Sequence, residues 1–157
     1  KHGESKEYDI WDLRSVANYK NGLLNGYKVS YYTGNAKSYL EGVKNIQEEA
    51  FYINNLRHGE TKWYGKNDKL IAKYNYNMGS LEGKQYTFYE DGLTIKTIET
   101  YKNNILDGEV KEFYSNGKIK LEGLYLDGKK NGEWREYSEE GKLLKTTKWK
   151  DDVENKK

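Results

Sequence analysis

The chain has 157 residues with no Cys, no Pro, two His, 16 Gly and 23 aromatics, 27 basic against 25 acidic side chains, and a mean hydropathy of −1.11. The lack of Cys excludes a disulfide scaffold, a cysteine-ligated zinc and a cysteine nucleophile, and two His do not make a histidine-rich metal site. No apolar run approaches the ~20 residues that span a bilayer, and net charges of +3 over residues 1–80 and −1 over 81–157 carry no nucleic-acid or membrane-surface signature.

With 35% hydrophobic and 33% charged residues, the ratio is poor for filling a compact two-layer core. The 15% aromatic content and the absence of Pro argue equally against disorder. The aromatics must be buried in a thin architecture. The chain opens on Lys1 with no signal peptide, which predicts an N-terminus that has been processed or trimmed.

A repeat organises the chain. Aligned on Gly3, Gly26, Gly59, Gly83, Gly108 and Gly132, it returns at spacings of 23, 33, 24, 25 and 24. Five residues after each anchor stands an aromatic: Tyr8, Tyr31, Tyr64, Phe88, Phe113 and Tyr137. A second aromatic closes each repeat at Tyr19, Tyr52, Tyr76, Tyr101, Tyr125 and Trp149. Four residues before the anchors only Gly or Asn occurs (Gly22, Asn55, Gly79, Asn104, Gly128), as a left-handed backbone site requires, and Asn21, Asn54, Asn103 and Asp127 precede four of them. A second turn follows eight and nine residues after the anchor, at Asn67-Asp68, Asp91-Gly92, Asn116-Gly117 and Glu140-Gly141. The segments between turns are five to eight residues long and rich in Tyr, Ile, Val and Thr, which predicts strands.

In chain order the predicted repeats are 1–19, 20–52, 53–76, 77–101, 102–125 and 126–149, followed by a charged tail at 150–157. The expected fold is all-β, a single-domain, elongated, single-layer antiparallel sheet of about six stacked hairpins in which neighbouring repeats supply each other's burial. Repeat two is nine residues longer than its neighbours. The surplus is assigned to 43–51, as a longer hairpin or one helical turn.

Stretches such as Gly108-Glu109-Val110-Lys111-Glu112-Phe113-Tyr114-Ser115-Asn116-Gly117-Lys118, and its counterpart from Gly132 to Leu143, resemble the bacterial MORN-repeat variant. That repeat runs through the YwqK-like antitoxin family. The likeness covers nearly the whole chain and is strongest over 76–149. It implies a non-enzymatic sheet of hairpins used for contact with other proteins, sometimes as the neutralising partner of a toxin. Related proteins are also secreted or surface-exposed, and eukaryotic MORN relatives are linked to phospholipid contact and dimerisation.

If the second turns are two-residue loops, the closing aromatic lies over the anchor glycine, as Tyr76 over Gly59 and Tyr125 over Gly108, a register-holding device that would apply equally at Gly26, Gly83 and Gly132 and at Tyr101. The same parity collects Val110, Tyr114, Ile119, Leu121 and Tyr125 on one apolar face, and leaves Tyr31, Tyr64, Phe88, Phe113 and Tyr137 among Lys and Glu on the other. On the apolar face Tyr32, Trp63, Tyr89, Tyr114 and Trp134 vary between repeats, as binding positions would, and are the candidate contact residues.

No catalytic residue, metal or cofactor is expected. His2-Gly3-Glu4 and His58-Gly59-Glu60 share a slot that elsewhere reads Asp107-Gly108-Glu109 and Asn131-Gly132-Glu133, which is turn chemistry and not a catalytic base. The acidic pairs lack calcium-loop spacing. The four Trp occupy four different places in the repeat, against a glycan-binding cage. The expected partner is a protein, a toxin being one case, or a second copy of the chain. No nucleic acid, transmembrane segment or membrane contact is expected. The location would be cytoplasmic for an antitoxin, and secreted or at the cell surface if a signal peptide preceded Lys1.

Overall fold

The structure, a computed structural model, describes residues 1–9, 12–33 and 45–155. It is all-β: fifteen strands and no helix occur among the described residues. Twelve are the long strands the repeat predicts, and three are two-residue pieces. The chain divides into an N-terminal half, Lys1–Ser80, and a C-terminal half, Leu81–Lys157.

The N-terminal half holds β1 (Gly3–Asp9), β2 (Asp12–Lys20), β3 (Leu23–Tyr31), β4 (Ile46–Ile53), β5 (Leu56–Arg57), β6 (Gly59–Tyr64) and β7 (Leu70–Asn77). They pair antiparallel in the order β1-β2-β3-β4-β6-β7, with β5 on β4. The two-residue β8 (Ser80–Leu81) falls at the division. The C-terminal half holds β9 (Gly83–Phe88), β10 (Ile95–Lys102), β11 (Ile105–Phe113), β12 (Ile119–Leu126), β13 (Lys129–Tyr137), β14 (Leu143–Lys150) and β15 (Val153–Glu154), each antiparallel to the next.

The tight turns have both central residues at positive φ: Asn54 and Asn55 at 48° and 70°, Met78 and Gly79 at 46° and 89°, Asn103 and Asn104 at 49° and 68°. Such turns match the right-handed twist of the strands they join. Each turn also hydrogen-bonds to the repeat before it. The second residue's N–H donates to the carbonyl two residues ahead of the previous anchor, as in Gly22 to Lys1, Asn55 to Leu24, Gly79 to Arg57, Asn104 to Leu81, Gly128 to Leu106 and Asp152 to Lys130, at 2.8–3.1 Å. Where that second residue is Asn or Asp, its Oδ1 accepts the N–H in return, from Leu24, Leu81 and Lys130 at 2.7–2.8 Å.

The looser turns are not two-residue loops. The Tyr114 N–H donates to Lys118 O and the Gly117 N–H to Tyr114 O, which encloses three residues with Gly117 at φ 80°. An odd loop alone would exchange the two faces. A one-residue bulge restores the parity: Phe113 pairs with Ile119, yet Glu112 pairs with Leu121. The six anchor glycines therefore sit opposite the six closing aromatics, from Gly3 and Tyr19 to Gly132 and Trp149.

Two further expectations need correction. A β-carbon on Gly3, Gly59, Gly83 or Gly132 would meet nothing within 4 Å, so no aromatic covers the glycine on that side. What the anchor supplies is positive φ, 71–135° in all six, at a bulge where β10–β11 pairing jumps from Glu99–Val110 to Tyr101–Leu106. The second correction concerns the surplus of repeat two. Regular pairing resumes at Tyr31–Ile46, and Tyr32 N–H reaches Asn45 O. The extra residues thus precede Asn45, and 46–51 is ordinary strand with no helical turn. Residues 43–44 lie outside the described residues.

Candidate interaction surface

Alternation along the strands separates two faces. Every strand residue that is buried, Ser15, Ala17, Glu48, Ala50, Tyr52, Thr61, Gln85, Val110, Trp134 and Thr147, belongs to the face of the closing aromatics. Its middle line, two residues after the anchors, is nearly closed at four of the six repeats, Thr61 being 0%, Gln85 2%, Trp134 5% and Val110 7% exposed.

This aromatic face holds its own cations. Arg57 stacks over Tyr52, Trp63 and Tyr76 at 5.6, 5.9 and 5.8 Å, and its Nη2 donates to Glu48 Oε1 at 2.5 Å. Burial acts to lower the guanidinium's pKa, but the Glu48 hydrogen bond and charge outweigh it and hold it above its ordinary value. Burial, then the Glu48 charge, raises the Tyr52 hydroxyl. The same repeat position carries Lys130, over Trp134 at 4.5 Å and Trp149 at 5.0 Å, and Lys1, over Tyr19 at 5.0 Å.

The candidate contact residues fall into two groups. Tyr32, Tyr89 and Tyr114 occupy one repeat position, six after the anchor, and each hydroxyl donates to a carbonyl of the following repeat: Tyr64 O at 2.8 Å, Phe113 O at 2.5 Å and Tyr137 O at 2.8 Å. They form a repeated latch at the loose turns. Trp63 is half-buried, edge-on to Tyr74 at 5.1 Å. Trp134 is 5% exposed and edge-on to Tyr125 at 5.2 Å. Of the five, Tyr114 and Trp134 come together, in the wall of a cavity of about 290 Å³ shared with Leu121, Lys130, Leu144 and Trp149. Sequence reasoning missed Leu144, which is 63% exposed at that cavity, and Gly123, whose bare backbone accommodates the Trp134 indole. A glycine inside a Tyr- and Leu-rich strand was the available signal.

The other face is a ladder of ion pairs. Glu60 meets Lys62 and Lys73 at 3.2 and 3.4 Å, Glu122 meets Lys111 and Arg135 at 3.7 and 3.8 Å, and Glu133 meets Arg135 and Lys148 at 2.8 and 3.3 Å. Hydrogen bonds from Arg135 and then Lys148 hold the Glu133 carboxyl below its ordinary value. The aromatics here are tied to the preceding repeat: Tyr64 donates to Glu49 and Tyr137 to Glu122, at 2.7 and 2.8 Å. Burial first, then Glu49, pushes the Tyr64 hydroxyl well above its usual range. Where the equivalent of Glu122 is Ile98, the aromatic is Phe113, which has no hydroxyl to place.

Among the described residues no three His, Asp or Glu gather as a metal-ligand group, and no helix is long and apolar enough to cross a membrane. No curated protein matches the chain. A family model described as MORN repeat variant matches residues 57–78, 106–127 and 130–151. Each matched stretch opens two residues before an anchor glycine and closes on the first residue of a tight turn. MORN repeats are commonly protein or lipid interaction modules and are generally non-enzymatic. These three stretches are similar to the MORN repeat variant, and they coincide with the hairpin repeats of the fold.

Proposed function

We propose that this chain is a non-enzymatic protein-binding repeat module whose partner is a toxin that it neutralises, the role that the YwqK-like resemblance implies. The supporting observation is the 290 Å³ cavity of the C-terminal half, walled by Tyr114, Leu121 and Trp149, with Leu144 63% exposed beside it. Tyr114 and Trp149 keep their latch and cation contacts there, while the rings' faces toward the cavity and the Leu144 side chain stay open among Glu112, Lys120, Lys130, Glu136 and Lys145. Open apolar surface of that kind suits a contact site, and aromatics anchor contacts at small entropic cost.

The test is co-expression with the products of the genes that neighbour the chain's own, each tried as the toxin and read as growth and as a co-purified complex. Rescue by the natural chain, lost in a folded Leu144→Glu variant, is expected. Absence of both rescue and complex overturns the toxin reading. Binding to anionic vesicles in flotation would move the reading to a lipid-contact module, and a dimer dissociated by Leu144→Glu in sedimentation would move it to self-association.

A further inference from the structure

The six repeats act as controls for one another. One residue after the anchor, on the face of the ion-pair ladder, five repeats carry a charge: Glu4, Glu60, Lys84, Glu109 and Glu133. Repeat two carries Tyr27, which is 68% exposed. Opposite it stands Phe51, where the other repeats place Asn18, Asn75, Thr100, Leu124 and Lys148. The two rings meet edge to face, 5.0 Å apart, and wall a cavity of about 500 Å³ with Val29, Glu49, Glu60 and Lys62. Five repeats fold without such a pair, so the hairpin does not require it.

A second departure lies beside the first. Glu49 and Glu122 hold equivalent positions, each accepting a tyrosine hydroxyl from the next repeat. Glu122 also has the cations Lys111 and Arg135. The place of Lys111 is taken in repeat two by Val29, paired with Glu49 as Lys111 is with Glu122. Lys62, which stands where Arg135 does, is turned to Glu60 at 3.2 Å. Among the described residues Glu49 has no ion pair, and no cation lies over Tyr27 or Phe51. Aromatic rings beside a carboxylate are also what this protein uses to hold Arg57, where three rings and Glu48 surround a cation of its own.

We propose that the Tyr27–Phe51 cavity of the N-terminal half binds the basic side chain of a partner protein, a lysine or arginine whose aliphatic stem lies on the two rings and whose charged head meets Glu49. The stem buries apolar surface and the head gains a charge-assisted hydrogen bond with a cation–π contribution. This rests on the protein-binding reading but uses residues that the toxin-rescue variant does not touch.

The test is NMR titration with N-acetyl-arginine amide, with N-acetyl-norleucine amide as the neutral control. The arginine probe should shift the Tyr27, Phe51 and Glu49 signals with a dissociation constant on the order of 10 mM, and the norleucine probe should not. Glu49→Gln, which keeps an acceptor for Tyr64, should weaken the probe about fivefold, as loss of one charge-assisted contact does. Tyr27→Lys installs the residue that the fourth repeat carries there as Lys84, removes one ring and adds a like charge, and should abolish the shifts with the fold intact. Val29→Lys supplies the missing cation from within and should do the same. Equal shifts with norleucine, no shift at these residues, or full binding by Glu49→Gln would overturn the proposal. Failure here leaves toxin rescue standing, and failure of rescue leaves these shifts standing.

Discussion

The indole of Trp134 occupies the space that a β-carbon on Gly123 would need: an ideal Cβ there lies 2.2 Å from the ring. The strands allow it because β12–β13 pairing runs from Glu122–Arg135 to Leu124–Asn131 and skips Gly123. Any side chain at 123 must expel the ring from a position that is 5% exposed. Gly123→Ala should cost about 1–3 kcal/mol by overpacking, measured by urea unfolding of a soluble variant. Trp134→Ala should cost about 3–5 kcal/mol, and in that background Gly123→Ala should be nearly silent. Equal costs in both backgrounds would refute the contact. Trp134 thus acts through stability before it can act through any partner.

Tyr114→Phe removes the hydroxyl that reaches Tyr137 O at 2.8 Å and leaves the ring in place. About 1 kcal/mol of stability should go with it, the usual net worth of one intramolecular hydrogen bond. Tyr32→Phe and Tyr89→Phe should cost similar amounts, since their hydroxyls make the same bond. A variant as stable as the natural chain in urea would show that the latch contributes nothing.

Asn104 sits at φ 68°, donates its N–H to Leu81 O and accepts the Leu81 N–H on Oδ1 at 2.7 Å. Both variants lose the side-chain bond, but Asn104→Gly also sheds the β-carbon that a left-handed backbone disfavours, whereas Asn104→Ala keeps it. The alanine variant should therefore be the less stable by about 1 kcal/mol. Thermal unfolding of the pair decides it, and the reverse order would contradict the turn assignment.

Breaking the Arg57–Glu48 pair should cost more than its partial exposure suggests. The Glu48 side chain is 11% exposed, so Arg57→Met leaves a carboxylate in a poorly solvated site without the guanidinium that three aromatic rings now hold beside it. A loss of about 2–3 kcal/mol is expected, below the full cost for a wholly buried pair because Arg57 is 36% exposed. Adding Glu48→Gln should recover part of it. A double variant no better than Arg57→Met alone would exclude the orphaned charge as the cause.

Alkaline pH should weaken the fold. The hydroxyls of Tyr52, Tyr64, Tyr76 and Tyr125 are all raised above the ordinary 10.0, chiefly by burial. As pH passes about 10 the unfolded chain releases these protons while the folded chain keeps them, so stability is complete below that pH and falls above it. Tyr64→Phe should flatten the fall seen in urea midpoints between about pH 9 and 11. An unchanged slope would remove Tyr64 from the explanation.

The sequence by itself determined the period, the strands and both kinds of turn, because these depend on local chemistry. Gly and Asn tolerate positive φ where Asn55, Gly79 and Asn104 turn the chain, and a strand's two-residue alternation places Val110, Leu121 and Tyr125 on one face. It also named the pairing of anchor glycine with closing aromatic, although through a loop of the wrong length, since a three-residue loop and a one-residue bulge cancel in parity. Only the tertiary structure decided what each aromatic does. Tyr114 and Trp134 are both apolar-face aromatics in sequence, yet one spends its hydroxyl on the next hairpin and the other fills the gap over Gly123. Those partners lie in neighbouring repeats, more than ten residues away, and a side chain's exposure is set by what stacks beside it. For the same reason the sequence could not show that, among the described residues, Glu49 lacks the cation which Glu122 has: that contrast exists only once Val29 and Lys111 are seen at equivalent places beside them.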